Sequence, residues 1–491
     1  MEFGACMWEF PIRRTGESPL NHIAQSSAFT APQERGTRWH LEQDIFEKVG
    51  KPGRKQLRHI PGKKGLPYFG ILPEAVLDPL AFAERLHAKH GRVYCFYALG
   101  SWNVQLVGPE ANELVLFDKD STFSAHGGWG PVVEPFFPGA LLIQDGERHR
   151  ANRRLLGEAF KQQKLSGYQQ IFDRDIERSI SSWCGRTFDV YDEVKRLTLR
   201  IAASTFLGID MDEKANKALR SFSDMMGALI AVNQNKWLSP VAARGFRGKT
   251  FLEAYVRELI TERRANPGDD MLSRVCHVGE EDGESLTEEE IYNSTIFLLA
   301  AAHDTLASAF TSSIYFLAKH PEWAERLREE ARGANLSCPV DAATASLPLH
   351  DMFFKEAMRI NPPAPIVWRR AVRAFSIYGY DIPAGTITGI NPLLVHRDPE
   401  IWEDPLRFDP YRFTPEAEAQ RHKHAFVPFG SGVHKCLGLH FAQQQARIFL
   451  SRLVTSADVE IHADRVQWYH WPNCRPRKPV LASATARPPK R

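Results

Sequence analysis

The stretch Phe426–Phe441 reads FVPFGSGVHKCLGLHF, and its reading decides the fold. One cysteine, Cys436, lies in a glycine-punctuated loop that runs straight into an apolar-periodic segment. There Ala442, Ala446, Phe449, Leu450 and Leu453 recur at spacings of three and four, the stripe of a single buried helix face. Phe429, Gly432, His434, Cys436 and Gly438 stand at the offsets FxxGxHxCxG. A lone cysteine beside a turn is more often a structural core residue than a ligand, but these offsets reverse that reading. Gly432 and Gly438 let backbone approach a flat cofactor where a Cβ would clash. The partial positive charge at the start of the following helix favours a thiolate at Cys436.

Composition narrows the class. Of 491 residues, 43% are hydrophobic and 11% aromatic, enough for a large core, while the net charge of +3 leaves no case for nucleic acid as a partner of the whole molecule. Seven cysteines, an odd number without a CxxC pair, suit neither a disulfide framework nor a zinc site and fit a reducing compartment. The most hydrophobic run, Ile296–Ala302, is too short for a membrane span. The opening MEFGACMWEF carries two glutamates and no basic-then-apolar leader, so a cytoplasmic location is expected. Length alone suggests about three domains. The motifs below run from 145 to 438 without a linker, however, so the expected organisation is an extension over 1–55, one domain over 56–485 and a basic tail over 486–491.

Along the chain, Arg92–Leu99 and Trp102–Val107 form a hairpin pattern about Gly100-Ser101. Phe123–Gly139, rich in glycine and proline, reads as a long irregular loop carrying Trp129, Phe136 and Phe137. Positions 146 to 272 are mainly helical. Thr287-x-x-Glu290 is a capping box, and it opens a helix that reaches Lys319 before His320-Pro321. Its length of roughly 48 Å would cross a whole domain. Further helices are expected over Glu322–Ala331 and Met352–Ile360, a hairpin over Tyr378–Thr386 around Asp381 and Gly385, and a proline-aromatic meander over Pro405–Phe413.

Three constellations bear on chemistry. Ala300-Ala301-Ala302-His303-Asp304-Thr305 sits in the middle of the long helix, where an acid and a hydroxyl are costly unless used or paired. Glu356 and Arg359 are three apart on one helix, a pair that on a surface contributes only a few tenths of a kcal/mol. His149 and Arg153, four apart, share a helix face suited to gripping carboxylates, and Arg369 follows Pro363-x-Pro365.

In their order, the acid–alcohol helix, Glu356-x-x-Arg359, Pro410-x-Arg412-Phe413 and the cysteine loop resemble the signatures of the cytochrome P-450 family over about residues 60–480. The resemblance implies a mainly α, triangular fold with small β-sheets and haem b between the long helix and the cysteine helix. It implies Cys436 as the iron ligand, with Phe429, Gly438 and Ala301 against the haem. His149, Arg153, Arg369 and His434 would hold the propionates, with Arg370 as a fallback. Glu356, Arg359 and Arg412 would form a buried ion cluster that sets the cysteine loop. Thr305 would hold dioxygen by a hydrogen bond and Asp304 would deliver protons, the general-acid help that O–O cleavage needs. Two positions depart from the usual pattern: Ala302 replaces a glycine, and His149 stands where tryptophan is frequent.

The implied activity is monooxygenation: one atom of O2 enters a C–H bond of a lipophilic substrate of sterol, terpenoid or fatty-acyl type. A peroxide-driven peroxygenase or hydroperoxide isomerase, and a non-enzymatic haem-thiolate binding protein, are the alternatives. Trp129, Phe136, Phe137 and Trp237 lie in segments that resemble the family's variable substrate-contact regions, and His303 beside the acid resembles branches that include retinoid hydroxylases. With no flavin or iron–sulfur segment, electrons would come from a separate ferredoxin or flavodoxin-type donor with its reductase. The donor would be steered by Arg148, Arg150, Arg154, Lys423 and Lys435. A monomer is expected.

Overall fold

The computed structural model describes residues 50–161, 166–209, 213–229, 234–279, 285–334 and 347–487. Thr287 opens the long helix Glu288–Lys319 as its capping box requires. Its hydroxyl accepts from the Glu290 amide at 3.3 Å, and the Glu290 carboxylate accepts from the Thr287 amide at 3.0 Å. The helix closes at His320, before Pro321. Most residues from Ile291 to Leu317 are buried, so this helix is a core element. The cysteine helix Leu439–Ser456 packs on it where Phe310 stacks on Phe449, ring centroids 4.2 Å apart. At the start of the cysteine helix, Phe441 is clasped by Phe160, Phe172 and Phe206.

The sheets are small and lie beside this helical core. The largest has six strands in the order Gly62–Lys63, Val93–Ala98, Ser101–Leu106, Ile387–Ile390, Val367–Ala371 and Phe123–Ser124. Its central hairpin pairs Val93 with Leu106 and Ala98 with Ser101, as the alternation predicts. Strand Thr187–Asp189 joins Leu481–Ala486 and Ala457–Ile461 in a three-stranded sheet. No described helix is long and apolar enough to cross a membrane.

Three expectations change. Phe123–Gly139 is not an irregular loop, because Ala125–Val133 is helical, with the Ser124 hydroxyl accepting from the Gly127 amide. Its glycines serve packing: a Cβ on Gly128 would stand 2.5 Å from the Trp368 carbonyl oxygen, so only glycine lets this helix lie on strand Val367–Ala371. The later hairpin turns at Tyr378-Gly379, both with positive φ (50° and 79°), and pairs Phe375–Ile377 with Tyr380–Ile382. Asp381 and Gly385 therefore lie in and beyond its second strand. The folded body also starts before position 56 and continues past 485. Lys51 donates to Ser101, Arg54 donates to the Leu57 and Ile60 carbonyls, and Ala486 still pairs with Ala457. The rest of the expected extension, 1–49, and of the tail, 488–491, lies outside the described residues.

Candidate active site

Cys436 sits at the last turn before the cysteine helix, its amide donating to the Phe429 carbonyl at 2.8 Å, so that Phe429 and Cys436 close the loop. The sulfur lies deep among protein atoms, yet its residue is solvent-accessible, which places it on the wall of an interior space. Burial pushes the thiol up, opposed by the Gly438 amide and by the cations of Arg153 and Lys435. Burial outweighs the helix start here, so the thiolate needs a bound cation, which deprotonates a coordinating thiol outright. At Gly438 an added Cβ would make only ordinary contacts, with Phe160 at 3.9 Å and the sulfur at 4.0 Å, so no protein contact requires glycine there. Gly432 differs. It takes φ +63°, and a Cβ there would stand 2.2 Å from the Leu116 carbonyl oxygen, so it serves contact with helix Pro109–Phe117 and not with a cofactor.

The residues expected at the propionates are gathered in one place. His149 and His434 stack at a centroid distance of 3.9 Å. Burial pushes them down to about 4 and about 2 respectively, helped by the neighbouring guanidinium groups of Arg153 and Arg369, so both imidazoles are neutral. Arg153 donates to the Lys435 carbonyl. Arg369 is 4% exposed, donates to the Trp368 carbonyl at 2.9 Å, and has no ion-pair partner among the described residues. Burial holds its guanidinium down to about 10, which Asp145 and Asp118 only partly offset. A buried, unneutralised cation beside two neutral imidazoles fits an anionic ligand group. Arg370 instead donates to the Gly385 carbonyl.

Along the long helix, the residues that are not buried in its middle are Phe297, Ala301, Ala302, Asp304 and Thr305, all but Ala302 on one face. Thr305 Oγ1 donates to the Ala301 carbonyl at 2.7 Å. Asp304 is pushed up by burial, against Lys195 and Arg475. A group missing from the sequence reading stands behind it. Thr198, on the apolar stripe of helix Val190–Ala202, has its hydroxyl 3.1 Å from the Val194 carbonyl and 2.9 Å from His303 Nδ1. His303 Nε2 lies 3.6 Å from Asp304 Oδ1. The imidazole is held neutral, down to about 3, chiefly by burial. The His303 ring thus stands beside the Asp304 carboxyl, whose charged form burial disfavours. The signal in the sequence was a threonine in register with Val194, Leu197 and Ile201.

Glu356, Arg359 and Arg412 converge on helix Pro348–Ile360. Arg359 donates bidentately to Glu356 at 2.7 and 2.8 Å, both side chains fully buried, and Arg412 reaches Glu356 at 3.5 Å. Of the aromatic set, Phe137 meets Phe297 edge-on at 5.8 Å, Phe136 stacks on Phe246 at 4.9 Å, and Trp129 packs on the core. Trp237 stands apart: it is 84% exposed, in a turn closed by Leu238 and Ser239 amides on the Asn235 carbonyl.

A helical core with a buried, accessible cysteine at a helix start and an acid–alcohol helix defines a haem-thiolate enzyme. A family profile described as "Cytochrome P450" matches residues 60–472, and the chain belongs to the cytochrome P-450 family, monooxygenases that bind haem b. It is 35% identical to cytochrome P450 136 of Mycobacterium tuberculosis (strain CDC 1551 / Oshkosh), over 84% of this chain and 85% of that protein. It is 28% identical to abscisic acid 8'-hydroxylase 3 of Oryza sativa subsp. indica, over 85% of each. The solved structure of a retinoic acid-bound cyanobacterial member superposes with a TM-score of 0.80 at 25% identity, covering 89% of this chain and 100% of that one.

Proposed function

We propose that this enzyme hydroxylates an isoprenoid carboxylic acid, with Cys436 as the protein ligand of the haem iron. The observation that carries the site assignment is Cys436, its sulfur deep among protein atoms in a residue that is nonetheless accessible, with Arg153 beside it. Haem, when bound, activates dioxygen so that one atom enters the substrate and the other leaves as water. Arg369 and His149, both buried, and His434 and Arg153, partly buried, would offer its carboxylates donors, and Ala301 on the long helix bears no side chain beyond a methyl to obstruct a planar group. Thr305 offers a hydroxyl at the same helix face. Asp304, whose carboxyl burial pushes up, would pass a proton from that face toward oxygen. An acid and an alcohol side by side favour dioxygen chemistry over peroxygenase or isomerase turnover, which needs no such delivery. Thr305→Ala is expected to lower product formed per NADPH oxidised by about tenfold and release hydrogen peroxide instead. Unchanged coupling would remove Thr305 from proton delivery.

The substrate class follows from the relatives: abscisic acid and retinoic acid both carry an isoprenoid ring and a conjugated carboxylate tail. Phe137 against Phe297 supplies an apolar wall on the accessible face of the long helix. Titrating the haem-loaded enzyme with retinoic acid, abscisic acid, their methyl esters and palmitic acid is expected to give a low-to-high-spin Soret shift strongest with an isoprenoid acid. A shift with palmitic acid alone would overturn the substrate class and leave the haem-thiolate site intact. Exposed Arg150, Arg154, Lys423 and Lys435 support an acidic ferredoxin or flavodoxin-type donor, whereas Arg148 faces Glu290 at 3.7 Å.

A further inference from the structure

Outside the haem site, helix Pro109–Phe117 and the segment entering the cysteine loop bring Glu113, His422 and His424 together. A turn closed by the Ala425 amide on the His422 carbonyl (2.9 Å) sets the two imidazoles 5.6 Å apart, centroid to centroid. Glu113 Oε2 lies 3.6 Å from His422 Nε2 and 3.5 Å from His424 Nδ1, and all three ligand atoms fall within 4.8 Å of one another. Bonds of about 2.0–2.1 Å to a tetrahedral zinc separate neighbouring ligand atoms by about 3.3–3.4 Å, so contraction by a few tenths of an ångström closes two of the edges.

A second, independent observation points to a ligand. His424 is 3% exposed, and its Nδ1 is buried without a hydrogen-bond partner. Buried polar atoms are nearly always paired, so an orphaned nitrogen aimed at a carboxylate and a second imidazole calls for an explanation. The frame is rigid without any ion: fully buried Asn112, next to Glu113, donates to the His424 carbonyl at 3.0 Å. Lys423, between the two histidines, is turned onto the Phe117 ring, 5.8 Å from its centroid. His422 and Glu113 are each about a third exposed, which leaves an entry path and room for water as a further ligand.

We propose that Glu113, His422 and His424 bind a divalent transition metal, zinc foremost, with water completing the coordination. Two imidazoles and a carboxylate form a donor set zinc takes readily. Loading shifts the His422 ring proton from Nε2 to Nδ1, which then no longer accepts from the His424 amide (3.2 Å), and the exposed ring turns to give up that bond. The ion pins helix Pro109–Phe117, whose Leu116 carbonyl lies against Gly432, to the entrance of the cysteine loop. Its role is structural. The haem-loaded enzyme, stripped with a chelator, is titrated with zinc chloride by calorimetry and read by zinc X-ray absorption, beside His422→Ala and Glu113→Gln. The expected result is one zinc held by two imidazoles and oxygen, weakened at least about 100-fold in His422→Ala, with a zinc-dependent rise in Tm present in the wild type alone. No zinc bound at micromolar concentration, or equal stoichiometry and affinity in both variants and the wild type, would overturn it.

Discussion

Cys436→Ala abolishes the red-shifted Soret band of the reduced carbon monoxide complex and brings monooxygenation to background. The band reports a thiolate on the iron, and the loop leaves no substitute for that sulfur. The described alternatives are built into other elements: Cys95 in strand Val93–Ala98, Cys276 in helix Met271–His277, Cys474 in strand Cys474–Pro476, and Cys184 at the end of helix Gln169–Trp183. The loop itself does not depend on the side chain, because the bonds from the Cys436 amide to Phe429 and from Lys435 to Gly432 are backbone bonds. The alanine variant therefore keeps its helical circular dichroism while losing the signal. Cys436→His separates ligation from folding: it is expected to retain haem, with an unshifted carbon monoxide band. A red-shifted band persisting in Cys436→Ala would sink the assignment.

What the sequence made legible was local. The capping box at Thr287 and Glu290 and the apolar stripe after Cys436 each specify an element from residues within a few positions, and the structure contains both; the first hairpin is also present, but it turns at Leu99-Gly100, one position before the expected Gly100-Ser101. What it hid was tertiary. Gly127 and Gly128 look like loop punctuation until the strand beneath them is in place. Gly432 looks like a cofactor contact until Leu116 is found behind it. Thr198 hydrogen-bonds His303 from 105 positions away, a relation that periodicity does not carry. Trp237 shows the opposite failure: an aromatic in a plausible segment, turned outward by three backbone groups. The metal-ligand cluster needed Glu113, 309 positions before His422, and nothing local links them.

Glu356→Ala and Arg359→Ala each destabilise the enzyme by about 3–5 kcal/mol in denaturant unfolding, because each leaves a buried charge without its bidentate partner, Arg412 standing only 3.5 Å from Glu356. The pair's spacing by itself would predict a tenth of that, about 0.3–0.5 kcal/mol, the value of an exposed helix pair. Burial decides between the two figures: neither side chain has any exposed surface. Arg359 also donates to the His396 and Pro405 carbonyls, at 2.7 Å each, and Glu356 accepts from the Asp409 amide at 2.8 Å, so the meander is fastened at both partners. The fastening extends further. Val427, in the cysteine loop, donates its amide to His396 Nε2 at 3.2 Å, and burial keeps that imidazole neutral, down to about 3, so Nε2 can accept. Arg359 thus holds His396, His396 holds Val427, and the Phe429 carbonyl two residues on receives the Cys436 amide. Loss of Arg359 should therefore quicken haem transfer to apomyoglobin as well as lower stability, whereas a core truncation of equal cost remote from this path should do only the second. The double variant Glu356→Ala/Arg359→Ala should cost less than the sum of the singles by about 1–3 kcal/mol, since no lone charge remains. Single losses below about 1 kcal/mol, or strict additivity, would mean that the pair does not act as a buried unit and that the cysteine loop is held by its own backbone bonds.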